Sequence, residues 1–187
     1  MSVEHEICRD WQSLYCAGSP MPKVFRQKAS EYFNKIFTCD RPELQGFKYN
    51  KSDIFRVIKT PYKGKLLDFD DLYYSFSSEI NGVEQFATKD KNVRFDLFLI
   101  IATPLEAIDF NMLGNDLFEG FNESKFYEEK EVVSKLSFQT IKEIYYLKNA
   151  TDIERYPQKG ILIKKKDLNF SIKRLVTKYN LPIDYLN

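Results

Sequence analysis

Histidine occurs once in this chain, at position 5, and cysteine three times, at positions 8, 16 and 39. One histidine leaves no basis for a His-ligated metal site or a Ser-His-Asp triad. The cysteines lack metal-ligand spacing and read as free thiols in a reducing compartment. The longest apolar run, Leu97 to Thr103, is far too short to span a bilayer. The opening residues, Met1-Ser2-Val3-Glu4-His5-Glu6, lack the basic and apolar regions of a secretory signal. Net charge is nearly absent too: 28 Lys and Arg face 27 Asp and Glu, a formal +1. That balance gives no support to broad nucleic-acid or membrane-surface binding. There is no internal repeat, no low-complexity segment and no Gly-x-Gly-x-x-Gly fingerprint, so a Rossmann dinucleotide site is not expected.

What is present suits one core. A chain of 187 residues, 43% hydrophobic and 29% charged, reads as a single domain over 1–187. Residues 1–50 read as a helical N-terminal subdomain or lid without chemistry of its own, and 51–187 as a sheet core. Ile7, Trp11, Leu14 and Tyr15 recur at helical spacing. A second helix runs from Pro22 through Phe37, its apolar face formed by Val24, Phe25, Ala29, Tyr32, Phe33 and Ile36. Thr38 to Asn50, with Pro42 and Gly46, reads as loop.

The texture then turns to strands. Ile54 to Ile58 is a short strand carrying Arg56, which points away from both Phe55 and Val57. Tyr73 to Glu79 is an aromatic strand running into hydroxyl residues, followed by a short helix with Val83, Phe86 and Ala87 inward. Phe95 to Ala102 is the most apolar strand and is expected to be central. Asp109 to Asn122, containing Gly114 and Gly120, reads as a mobile loop leading to Phe126-Tyr127-Glu128-Glu129-Lys130-Glu131. Leu136, Phe138, Ile141 and Ile144 mark one or two half-buried strands beyond it. The tail adds a strand at Gly160 to Ile163, a solvated lysine run at 164–166, and an amphipathic helix from Leu168 to Tyr179.

Three stretches carry chemistry. Along an extended strand, period two would put Glu129 and Glu131 on one face. Like charges that close repel, so the pair needs a cation, a metal or an open cleft, unless it guards a strand edge against aggregation. Arg56 either leaves the sheet for solvent or stands in a cleft. The serines of Ser75-Phe76-Ser77-Ser78 either cap the following helix or serve a site.

Taken in order, Phe55-Arg56, then Tyr74-Ser75-Phe76-Ser77 with Val83 and Phe86, then Glu129-Lys130-Glu131-Val132 resemble the Arg–Ser–Glu signature of mono-ADP-ribosyltransferases, the class that includes bacterial toxins and phage-encoded enzymes. The resemblance covers residues 54 to 147. Phe76 stands where the family has a small residue, Val57 where a small residue often follows the arginine, and Ser78 lets the hydroxyl register slide by one. The resemblance implies an α+β fold, ADP-ribosyltransferase-like, with two small, mostly antiparallel sheets flanking an NAD cleft and helices at the N-terminus. It implies transfer of ADP-ribose from NAD, the only co-substrate and with no metal, to a protein side chain, with arginine as acceptor because the motif is Glu-x-Glu. Glu131 is then the catalytic carboxylate, Ser75 the hydroxyl that holds it, and Glu129 the residue that orients the acceptor. Arg56, Val57, Ser75, Ser77 and Phe86 fall on cofactor-binding positions, and Phe126 and Tyr127 on the target-recognition loop. The chain is expected to act as a monomer on a macromolecule, in the cytoplasm or delivered into another cell as an effector.

The chemistry fits this set independently. Breaking the ribose–nicotinamide bond passes through an oxocarbenium-like transition state that a carboxylate stabilises. A diphosphate calls for the planar paired donors of a guanidinium. Two other readings stay open. Glu128 and Lys130 satisfy Glu-x-Lys, with Asp109 or Asp116 upstream, as in a Mg-dependent nuclease. A catalytically inactive binding module of the same fold is the other.

Overall fold

Leu97–Ala102 is buried at every position, and a strand without an exposed face must be covered on both sides. The computed structural model describes Arg9, Trp11 and residues 23–38, 42–59, 64–88, 96–117 and 130–183. Its strands are β1 (Lys48–Tyr49), β2 (Ile54–Lys59), β3 (Tyr73–Ser77), β4 (Leu97–Ala102), β5 (Ala107–Asp109), β6 (Glu131–Lys135), β7 (Ile141–Leu147) and β8 (Ile161–Leu162). The α-helices whose bounds lie among the described residues are α1 (Lys23–Thr38), α2 (Pro42–Gln45), α3 (Ile80–Thr88), α4 (Phe110–Leu117) and α5 (Ile172–Tyr179). The architecture is α+β. Among the described residues no helix is long and apolar enough to cross a membrane.

Instead of two separate sheets, the strands hydrogen-bond into one antiparallel sheet in the order β1-β5-β6-β3-β2-β4-β7-β8. The joint in its middle is narrow. β2 runs beside β4 from Ile54↔Ala102 to Lys59↔Leu97, and β3 beside β6 from Tyr73↔Lys135 to Ser77↔Glu131. Between β2 and β3 the register holds only at Phe55↔Ser77. Beyond that pair the two strands part, so two well-laddered halves meet at a hinge-like seam.

Three apolar clusters clothe the sheet. One face carries Ile54, Phe76, Phe98, Ile100, Val132, Ile144 and Tyr146, covered by Ile172, Leu175 and Val176 of α5. These α5 residues recur at i, i+3 and i+4, which places them on one helical face. Ser171 caps α5 by accepting the Arg174 N–H, and Asn180 ends it in the left-handed region at φ +50°. On the opposite face, α1 and α4 cover Tyr73, Ile108 and Val133 through Ala29, Phe33, Ile36, Phe110 and Leu113. Val83 of α3 and Ile153 cover Val57, Leu99, Ile101 and Leu147 on the other half.

Several expectations shift. Inside the expected loop 38–50, Lys48–Tyr49 forms β1 and pairs with β5 (Lys48↔Ile108), and α1 buries its aromatic face on the sheet. Val24 lies 66% exposed, away from the apolar stripe of its helix. Within the stretch expected as a mobile loop, Phe110–Leu117 forms α4: Phe110 and Leu113, three apart, are buried, and Asp109 caps the helix by accepting the Met112 N–H at 3.1 Å. Gly114 does not break a helix whose inward face is so anchored. The lysine run enters a short 3-10 turn, Lys165–Asp167, rather than continuing a strand. The expected helix over residues 4–17 lies outside the described residues except at Arg9 and Trp11, both helical.

Candidate active site

Where β2 parts from β3, the β3 edge loses its neighbouring strand and its backbone polar groups must find other partners. The Tyr73 N–H donates to Ser30 Oγ at 3.2 Å, and Arg26 Nε donates to the Tyr73 carbonyl at 3.5 Å, both from α1. Two residues on, Arg56 of β2 spans the gap and donates from its guanidinium to the Ser75 carbonyl at 2.6 Å. The edge is thus satisfied by side chains in place of a ladder, and the arginine is fixed at the seam.

On the other side of β3, the ladder with β6 sets Glu131. Ser77 lies directly across from Glu131, so Ser75, two positions away, shares its face. Ser75 Oγ donates to Glu131 Oε1 at 2.7 Å. Glu131 is 6% exposed, and a buried carboxylate needs donors to offset lost hydration. A second donor reaches the same oxygen: Trp11 Nε1 at 3.0 Å, from 120 residues earlier in the chain. Ser75 therefore links the set, its carbonyl taking Arg56 and its hydroxyl holding Glu131.

Positive charge gathers beside this link. The Arg56 guanidinium carbon lies 5.5 Å from the centroid of the Tyr74 ring, and that of Arg26 lies 4.0 Å from it. Arg26 pairs with Asp70 at 3.2 Å, and Tyr74 Oη donates to the same carboxylate oxygen at 2.8 Å. Burial pushes the Tyr74 hydroxyl up to about 12; the hydrogen bond to Asp70 adds to this, and Arg26 works against it. Burial likewise raises Tyr73, helped by the charges of Glu106 and Asp71.

The remaining sequence candidates are placed as follows. Ser77 is 4% exposed and turns back on its own chain, donating to the Glu79 carbonyl at 2.7 Å and accepting the Glu79 N–H at 3.1 Å. Ser78 donates to the Lys130 carbonyl, at 2.9 Å from its N–H and 3.3 Å from its hydroxyl. The serine bonded to Glu131 is thus Ser75. Val57 is 6% exposed among Val83, Leu97 and Leu99, so its side chain packs in the core and its backbone is what remains at the seam. Phe86 belongs to α3, but its side chain lies outside the described residues. Glu128, Glu129, Phe126 and Tyr127 also lie outside them.

β6 begins at Glu131, and Lys130 before it sits in the left-handed region at φ +49°, outside the strand. The residues that sequence reasoning missed are Trp11, Arg26 and Ser30. Nothing in a helical apolar stripe marks an indole for a carboxylate 120 positions away. No protein-family model matches this chain, and no curated protein matches it.

Proposed function

We propose that this chain is an NAD-dependent mono-ADP-ribosyltransferase that moves ADP-ribose to a protein side chain, arginine, and releases nicotinamide. The observation that carries the reading is the meeting of three motif residues at one point of β3, Ser75. Arg56 bonds the Ser75 carbonyl across 19 positions, and Ser75 bonds Glu131 across 56. Sheet pairing alone does not require an arginine, a serine and a glutamate at those three places. The seam between β2 and β3 is the candidate NAD cleft, and the two halves of the sheet are its walls.

In this reading the bond between C1′ of the ribose and the nicotinamide nitrogen breaks, and its electron pair leaves with nicotinamide. Positive charge grows on the ribose, where a fixed carboxylate is worth more in the transition state than in the ground state. Glu131, held by two donors on one oxygen, fits that task. The guanidinium of Arg56 offers paired donors to the diphosphate. A nitrogen of the acceptor guanidinium forms the new bond to C1′ and releases its proton to solvent. Glu129 keeps the role its motif position implies, orienting that acceptor.

Labelled NAD, incubated with the protein and a candidate lysate with and without a chelator, tests this. Nicotinamide release and label transfer should survive chelation and disappear in Glu131→Gln. Glu129→Gln should lose transfer to protein and keep NAD hydrolysis. Chelator-sensitive plasmid cleavage without NAD turnover would instead favour the nuclease built on Glu128 and Lys130, with Asp109, which also caps α4, as one of its acids. NAD binding without turnover would favour the inactive module.

A further inference from the structure

We infer that Trp11 is a positioning residue of this site: its indole N–H holds the Glu131 carboxylate in the orientation that NAD cleavage needs. The inference rests on the transferase reading and extends the site to the N-terminal segment.

Trp11 is 0% exposed and is the single tryptophan of the chain. Its ring is braced from α1 by Phe33, edge-on at 5.3 Å between centroids. Phe33 in turn meets Tyr73 edge-on at 5.2 Å. Tyr73 and Val133, which share this cluster, lie on β3 and β6 two positions from Ser75 and Glu131 respectively. The indole is therefore fixed against the same two strands that present the hydroxyl and the acid. A buried aromatic needed only for packing has no call for a nitrogen, and a buried indole N–H without an acceptor is costly.

Trp Nε1 is a donor only, whereas a serine hydroxyl both donates and accepts. The indole thus meets Oε1 as an unprotonated oxygen. Two donors from different directions on that oxygen, at 2.7 and 3.0 Å, fix the plane of the carboxylate. Fixing the plane fixes the direction of Oε2 as well. A carboxylate that stabilises charge on a sugar must be aimed before the reaction, since reorientation during it adds to the barrier.

The test replaces Trp11 by benzothienylalanine, which keeps the ring shape and loses the N–H, alongside Trp11→Phe. In 1H–15N spectra the lone indole resonance should move in Glu131→Gln, and move again when NAD is titrated into the parent protein. With benzothienylalanine, kcat for nicotinamide release should fall about tenfold or more, KM should stay within about twofold, and the melting temperature should fall by no more than the loss of one hydrogen bond brings, about 3–8 °C. A structural role alone lowers the melting temperature and leaves kcat per folded molecule unchanged. An indole resonance indifferent to Glu131→Gln, or an unchanged kcat in the analogue, overturns the inference. If the parent cleaves NAD and Glu131→Gln does not while the analogue matches the parent, only this inference falls. If the parent does not cleave NAD, the transferase reading falls, and this role with it.

Discussion

Ser75→Ala isolates the bond that joins the two halves of the site. It deletes a hydroxyl donating to a carboxylate at 2.7 Å and leaves the β3–β6 backbone ladder in place. A hydrogen bond to a charged group contributes about 1.5–3 kcal/mol. Trp11 still donates to the same oxygen at 3.0 Å, so Glu131 is not orphaned and the lower part of that range applies. A loss of about 1.5–2 kcal/mol in the transition state lowers kcat ten- to thirtyfold, at roughly 1.36 kcal/mol per decade. The same loss in the resting fold lowers the melting temperature by about 3–8 °C for a domain of this size. Nicotinamide release at saturating and limiting NAD, with thermal unfolding alongside, separates the effects. The expected result is a lower kcat with little change in KM. A kcat within twofold of the parent refutes the reasoning. So does a large rise in KM alone, which assigns Ser75 to ground-state binding instead.

Phe33→Ala removes the ring on which Trp11, Tyr73 and Phe110 all pack edge-on, and is expected to cost about 3–5 kcal/mol, read as a lower urea midpoint. Asp167 is 2% exposed, and hydrogen bonds from Lys178 at 2.7 Å and Tyr179 at 2.6 Å hold its carboxyl below the usual carboxylate range. Its folded pKa is lower than its unfolded one, so its stabilisation is present at neutral pH and lost as pH falls below about 4. Melting temperature against pH should show a shallower acid slope in Asp167→Asn than in the parent. Tyr74 is the opposite case: its folded pKa is raised from 10.0 to about 12, so its contribution holds below pH 10 and disappears between 10 and 12. Alkaline unfolding followed by tyrosinate absorbance should lose that component in Tyr74→Phe.

Much of the scaffold was legible because local chemistry and burial agree there. The run Leu97–Ala102 has no polar face and became an interior strand. The i, i+3, i+4 pattern at Ile172, Leu175 and Val176 became a capped helix on the sheet. Where local signals and tertiary packing disagreed, packing prevailed. Gly114 and Asn115 argued for a loop after Asp109, but two buried side chains one turn apart held a helix. The seam between β2 and β3 was not legible as part of one sheet, because a single register pair leaves no mark on composition or periodicity.

By itself, the sequence determined which residue types were available for chemistry: one histidine, a strand arginine, a serine cluster and a Glu-x-Glu, set in an α+β pattern. Those are properties of short windows, and short windows carry propensity and periodicity. The tertiary structure decided that Ser75 and not Ser77 or Ser78 meets Glu131, that Arg56 reaches the β3 edge, and that Trp11 shares the carboxylate. Each of those depends on a strand register or a packed aromatic cluster joining distant residues. Register and packing are fixed only when the whole core closes.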